Sequence, residues 1–337
     1  MQTLTLTKPG ELTLSDTPLP SAPRAGEARV RVRCSGVCGT DLHAFAGNQP
    51  FFTYPRIPGH ELGVEVVAVG AEMTNVNVGD RCAVEPYLSC GRCIACRRGR
   101  PNCCEKLQVL GVHTDGGWRD EIVVPSVKLH RSEKLSFEQL ALVETLGIGA
   151  HAVVRGAPEK GEPTVVVGAG PIGLSVAQFA VEAGARVTIL DVNDARRAFA
   201  ARWLGVETLE ARGLTPEALR GKLGGDLPTL VFDATGNAAS MRQAFLWPAQ
   251  GGRIVFAGLV QGEISFDDPN FHRRELTLMA TRNSTAAEFE RIISLIENKR
   301  IDTAPWVTHR AALTEVPGVF ESWTRPETGV IKAMISL

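Results

Sequence analysis

The sequence predicts an α/β protein of two domains, one β-rich and one a doubly wound parallel sheet. Three observations predict it. Short alternating segments separated by turn signals fill the first part of the chain, strand and helix signals alternate from Thr164 to Glu297, and the first strand of that region runs into a G-x-G-x-x-G turn. At 337 residues the chain also exceeds the ~250–300 residues at which a single core stops growing, so two cores are expected.

From Glu27 to Arg33, arginines alternate with Ala28, Val30 and Val32, the period-2 signal of a half-buried strand. Glu61–Val69 reads as a second strand ended by Gly70. Val78-Gly79-Asp80-Arg81 is a turn into a third, Cys82–Pro86, and Arg119–Val124 alternates again before Pro125. Apolar spacing becomes helical over Glu138–Arg155, after which Pro158, Gly161 and Pro163 punctuate the chain. Strand signals follow at Thr164–Val167, Val187–Leu190, Leu230–Asp233, Arg253–Ala257 and Leu276–Ala280, with helix signals at Pro171–Ala183, Ala195–Leu204, Ala238–Trp247 and Ala286–Glu297. Near-continuous apolar strands between helices indicate a parallel sheet covered on both faces. From Ile301 onward short segments return, so the C-terminus is expected to rejoin the first domain.

Lys plus Arg (36) balances Asp plus Glu (37), and a net charge of -1 leaves no electrostatic footprint for nucleic acid or an anionic membrane. A small-molecule partner is expected instead. Met1–Gly10 lacks the basic start and apolar run of a secretory signal, and no apolar run approaches the ~18 residues that span a bilayer. The eight cysteines all fall between Cys34 and Cys104, which suits local metal binding in a reducing compartment better than a disulfide framework. A soluble, cytoplasmic protein is expected.

In Gly168-Ala169-Gly170-Pro171-Ile172-Gly173, Gly168 permits the tight turn, Gly170 lets backbone approach a pyrophosphate and Gly173 allows helix to pack on strand. The helix start at Pro171 and Ile172 presents N–H groups and a positive dipole end to the phosphates. Asp191 closes the second strand, where a carboxylate accepts from the adenosine ribose hydroxyls and repels a 2′-phosphate. No Arg follows it immediately, since Arg196 and Arg197 come a helical turn or more later, so NAD is favoured over NADP; Arg196 is retained as a cofactor-binding candidate.

Cys90, Cys93, Cys96 and Cys104 have the short spacing of a closed structural zinc site, with Cys103 as the competitor of Cys104 for the fourth place. A dispersed set, Cys38, His60, Glu61 and Glu144, has the mixed thiolate, imidazole and carboxylate composition of catalytic zinc sites. Taken singly, each of its members is as readily structural.

Cys38-Gly39-Thr40-Asp41-x-His43, Gly59-His60-Glu61, the four-cysteine lobe and the nucleotide turn, in that order, resemble the zinc-dependent medium-chain alcohol and polyol dehydrogenases over essentially the whole chain. The resemblance implies a GroES-like catalytic domain over 1–150, completed by 299–337, around a Rossmann domain over 151–298, with two zinc ions per chain. It implies Cys38 and His60 as catalytic zinc ligands, Glu61 and Glu144 as carboxylates of which one is bound directly, and a proton relay through Thr40 and His43. Glu144 stands where alcohol dehydrogenases proper usually carry Cys and sorbitol-type enzymes carry Glu, which tilts the substrate toward polyols. One departure is Val64, where the family places Gly; Gly63 stands one position early.

The expected activity is therefore hydride transfer from a secondary alcohol of a polyol, sugar or sugar acid to NAD, giving a ketone. An L-threonine or aliphatic alcohol dehydrogenase is the alternative within the family, and a catalytically silent sensing homologue the non-enzyme one. Asp41 is expected as a structural acceptor; Phe51–Tyr54 and Gly117–Arg119 are candidates for a cleft wall, although aromatic runs are more often packing, and Arg282-Asn283 is a candidate carboxylate contact, with a surface or interface arginine as the commoner alternative. The family implies dimers or tetramers, often joined through an edge strand such as Leu276–Ala280.

Overall fold

A computed structural model of the chain describes residues 1–71 and 75–337. Its strands are β1 (Gln2–Lys8), β2 (Glu11–Asp16), β3 (Glu27–Val37), β4 (Glu61–Val69), β5 (Arg81–Val84), β6 (Tyr87–Leu88), β7 (Gln108–Val109), β8 (Glu121–Pro125) and β9 (Leu129–Arg131). They continue with β10 (Pro163–Val167), β11 (Arg186–Asp191), β12 (Glu207–Glu210), β13 (Leu230–Asp233), β14 (Arg253–Phe256), β15 (Thr277–Ala280), β16 (Val307–Ala312) and β17 (Lys332–Ser336). The helices are α1 (Gly39–Phe45), α2 (Ile94–Arg97), α3 (Phe137–Gly156), α4 (Pro171–Glu182), α5 (Asp194–Leu204), α6 (Pro216–Lys222), α7 (Ala238–Gln243), α8 (Asp268–Arg273), α9 (Ala286–Glu297) and α10 (Val316–Trp323). None of them is long and apolar enough to cross a membrane.

Two compact units emerge, 1–145 with 284–337, and 146–283. The second boundary falls at 283/284, where the sequence suggested 298/299. The reason is α9: its apolar face is fully buried at Phe289 and Ile292, the Phe289 ring lies tilted against His130 of β9 with centroids 5.0 Å apart, and Glu297 accepts from Ser132 Oγ at 2.5 Å. A helix that looked like the next step of the α/β alternation is thus held by the β-rich unit.

In the first unit, β3 is the spine of a seven-stranded sheet ordered β16-β17-β3-β4-β5-β9, with β8 also paired to β3. Ala28, Val30 and Val32 pack with Val64, Val66, Ile122 and Val124 in one core cluster, each large side chain contributing about 1.5–3 kcal/mol by burial. β3 runs on past Arg33 through Cys34-Ser35-Gly36-Val37, all buried, so its second half shows no alternation. The register shifts opposite this segment, where Cys34 pairs with Gly63. Gly63 earns its place by contact: a Cβ there would stand 2.1 Å from the Phe137 carbonyl oxygen. Trp118 is not a cleft wall residue; it is fully buried, its Nε1 donating to Ser35 Oγ at 3.1 Å.

In the second unit the six-stranded sheet is parallel throughout, ordered β12-β11-β10-β13-β14-β15. β10 and β13 lie at the centre, and the chain steps outward on either side from them, the doubly wound arrangement whose switch point lies at the C-terminal end of the central strands. Val165, Val166, Ile189 and Leu190 are fully buried, as parallel strands covered on both faces require. The Ala238–Trp247 helix expected from sequence breaks after Gln243 into a 3-10 turn over Ala244–Leu246.

Candidate active site

At the end of β10, Gly168 adopts φ 100, open to glycine and costly for other residues. Gly170 caps α4, which begins at Pro171 with Ile172 in its first turn. Gly173 is obligatory by distance, since a Cβ would stand 1.8 Å from the Gly168 carbonyl oxygen. Asp191 ends β11, and its carboxylate accepts from Ala169 N at 2.6 Å and Asn193 N at 2.7 Å. It braces the glycine turn. Arg197 is committed to the Asp191 carbonyl and to Glu210 at 2.9 Å. Arg196 instead reaches back, with Nη1 3.8 Å from where a Gly170 Cβ would stand, which puts its charge over the phosphate turn.

In the first unit, the stem β6–β7 (Tyr87 opposite Val109, Leu88 opposite Gln108) carries the loop 89–107. There the sulfurs of Cys90, Cys93, Cys96 and Cys104 lie within 4.8 Å of one another. Backbone N–H groups of Cys96 and Glu105 hold the Cys93 thiol at a pKa of about 6, and those of Arg92 and Cys93 lower Cys90. Cys104 Sγ accepts from the N–H of Cys90 and of Lys106, both at 3.3 Å. Donors aimed at sulfur favour thiolates, the form that binds zinc. Cys103 is exposed and outside this set.

The second set assembles from three elements. Cys38 caps α1, Glu61 opens β4 and His60 immediately precedes it, and one ligand atom from each lies within 4.8 Å of the others. Glu144, on α3, stands outside that set; its Oε1 accepts the Tyr87 hydroxyl proton. His60, Glu61 and Glu144 are at most 5% exposed. Asp41 Oδ2 accepts from Cys38 N at 2.9 Å, fixing the first turn of α1, while Oδ1 faces His60 Nδ1 at 3.8 Å. At that distance neither atom has a hydrogen-bond partner among the described residues. Buried polar atoms left unpaired are costly. A thiolate, an imidazole and a carboxylate within 4.8 Å of one another fit a zinc ion, with Asp41 facing the Nδ1 side of the imidazole as an orienting carboxylate and the other ring nitrogen left for the metal.

Charge holds the set together. Lys332 of β17, 2% exposed, donates to both Glu61 oxygens at 2.7 and 2.8 Å and to the Val37 carbonyl at 3.2 Å. Burial raises the Glu61 carboxyl, yet Lys332 and His60 outweigh it and hold it below its ordinary range. Burial likewise lowers His60, but Asp41 and Cys38 overcome that and hold it well above its usual value. Burial raises Glu144. Tyr87 is pushed well up by burial and then by Glu144, so its phenol keeps the proton it donates.

Thr40 and His43 sit on α1, three residues apart and therefore on one face. Thr40 is half-buried and His43 exposed, its Nδ1 3.0 Å from Asn48 Oδ1. Sequence reasoning missed Lys332, Tyr87 and Gly36. A lysine interrupting the apolar run Val330–Ile335 was the signal for the first. Gly36 matters because a Cβ there would stand 2.0 Å from Glu61 Oε2; nothing local distinguishes it.

The family model described as "Alcohol dehydrogenase GroES-like domain" matches residues 24–134, and "Zinc-binding dehydrogenase" matches 171–298. The chain is 39% identical over 337 residues to L-galactonate-5-dehydrogenase of Escherichia coli K12, covering 100% of this chain and 99% of that one. It is 32% identical to the L-arabinitol 4-dehydrogenase of Hypocrea jecorina, over 93% of this chain and 85% of the relative. Among solved structures, the RspB alcohol dehydrogenase of E. coli CFT073 in complex with NADH superposes with a TM-score of 0.93 at 28% identity, covering 100% of this chain and 99% of that one. Both domain models, in their expected order, and relatedness sustained from end to end lead to one conclusion: the chain belongs to the zinc-dependent medium-chain dehydrogenases.

Proposed function

We propose that this protein oxidises a secondary hydroxyl of a sugar acid or polyol to a ketone, passing hydride to NAD. The observation that carries the reading is the gathering of Cys38, His60 and Glu61, one ligand atom of each within 4.8 Å of the others, with Asp41 facing the imidazole, in a chain whose full-length relative acts on galactonate. Cys38, His60 and a carboxylate, Glu61 or Glu144, hold the catalytic zinc; Cys90, Cys93, Cys96 and Cys104 hold the structural one. When bound, the catalytic ion supplies a Lewis acid that lowers a hydroxyl pKa from ~16 toward ~7.

The chain's own residues do the rest. Lys332 compensates the charge of Glu61, and Asp41 keeps the imidazole oriented. Thr40 takes up the substrate proton, and His43, exposed and beside Asn48, releases it to water. Gly168, Gly170, Gly173 and the first turn of α4 cradle the pyrophosphate, Arg196 adds charge over that turn, and Asp191 selects NAD. Thr281 Oγ1 and Asn283 Nδ2, past the end of β15, are buried without partners among the described residues, and Asn283 has φ 54. These features support the segment as a substrate contact, with Arg282 the candidate for a sugar-acid carboxylate.

The cysteines are all free, which supports work in the reducing cytoplasm, and the β15 edge, with Leu278 39% exposed, supports self-association there. A panel of sugar acids, polyols, threonine and simple alcohols, read by NADH absorbance, tests the proposal. The expected result is turnover fastest on a sugar acid; turnover confined to threonine or aliphatic alcohols overturns it.

A further inference from the structure

The phenol of Tyr87 belongs to no motif, yet it lies at the meeting of both thiol sites. It is 2% exposed and donates to Glu144 Oε1. The buried Ser284 stands beside the same hydroxyl. The Tyr87 backbone belongs to the β6–β7 stem, and Cys90 follows three residues later, so the fold of the four-thiol lobe sets where the phenol stands. The two carboxylates of the site are held in different ways. Glu61 is clamped at both oxygens by an ammonium, whereas Oε1 of Glu144 is held by a neutral hydroxyl, which fixes the rotation of the carboxylate without neutralising it.

We infer that Tyr87 is the positioning residue of Glu144, fixing that carboxylate toward the Cys38–His60 site and tying its placement to the four-thiol lobe. The inference rests on the zinc reading given above and on no particular substrate. Losing a hydrogen bond to a charged group weakens what depends on it by about tenfold or more. Tyr87→Phe keeps the ring and removes only the donor.

The test uses the full chain with cobalt at the catalytic site. Y87F should alter the visible cobalt spectrum and weaken metal retention against a chelator about tenfold, while the four-thiol lobe keeps its zinc. Glu144→Gln should do the same, and the double variant should be no worse than E144Q alone, because Tyr87 acts through Glu144. An unchanged spectrum with retention within about twofold of the unsubstituted enzyme overturns the inference, as does full additivity in the double variant.

Should Y87F not fold, fluorotyrosine labelling of the otherwise unaltered chain decides instead. The sequence holds two tyrosines, Tyr54 and Tyr87, so the fluorine spectrum has two lines, assigned with Tyr54→Phe. Loading the catalytic metal, and E144Q, should each move the Tyr87 line and leave the other in place; a Tyr87 line indifferent to both overturns the inference. None of these readouts requires turnover, so an enzyme inert toward sugar acids would sink the proposed substrate and leave this result standing.

Discussion

The two thiol-bearing sites are built by opposite means. In the four-thiol lobe every sulfur comes from one loop, most are half-exposed, and the stabilising donors are neighbouring backbone N–H groups. In the mixed site the candidate ligands come from distant parts of the chain, all but Cys38 are buried, and Lys332, Asp41 and Tyr87 stand against Glu61, His60 and Glu144 respectively. A site closed by its own loop needs only spacing. A site that must accept a substrate hydroxyl needs a fold to support it.

The largest expected effect separates the two sites outright. Cys38→Ser or His60→Ala should cut NADH production by about a thousandfold or more and lower zinc from about two ions per chain to about one, by elemental analysis; wild-type turnover in either variant would break the contrast.

Next comes Lys332→Met in metal-free protein. A carboxyl held below its ordinary 4.5 stabilises above that pH and loses the contribution as pH falls through its folded value. The ammonium, which burial lowers but Glu61 raises above its ordinary 10.5, stabilises below that pH and loses its share as pH rises through the folded value. The pair's contribution is therefore flat across neutral pH. Without the lysine, burial prevails at Glu61, and stability should fall as pH rises from about 5 to 8, with a loss of about 3–5 kcal/mol by urea unfolding. Parallel pH curves for the two proteins would show that the lysine is not the counter-ion.

A smaller effect concerns coenzyme choice. Asp191→Gly should reduce the ratio of kcat/KM for NAD over NADP by about tenfold, and because it also releases Ala169 N and Asn193 N, both coenzymes should bind less well; an unchanged ratio would leave Asp191 a brace only. The smallest effect sharpens the lobe. Cys103→Ser should keep zinc content and shift stability by no more than about 0.5 kcal/mol, whereas Cys104→Ser should lose the lobe's metal; the reverse pattern would exchange their roles.

Much of this was legible in the sequence because it is local. The glycine turn, Asp191 and the Cys90–Cys104 spacing each lie within a few tens of residues, where chemistry and periodicity coincide. Lys332 and Glu61 are 271 positions apart, and no pattern at that range says which lysine turns inward. The second half of β3 lost its alternation because both of its faces are buried, and α9 showed its apolar stripe without showing which unit would cover it. Gly36 is legible only once the Glu61 carboxylate is seen to fill the space a side chain would take.

The nucleotide unit is an insertion, and its two seams have a consequence. The chain leaves the first unit just after Glu144 and re-enters it at Ser284, and both residues stand against the one phenol of Tyr87. An insert whose ends are that close costs its host little loop entropy. A short graft between Thr145 and Ser284 would close the gap, offering a metal-binding β-scaffold freed of its coenzyme module.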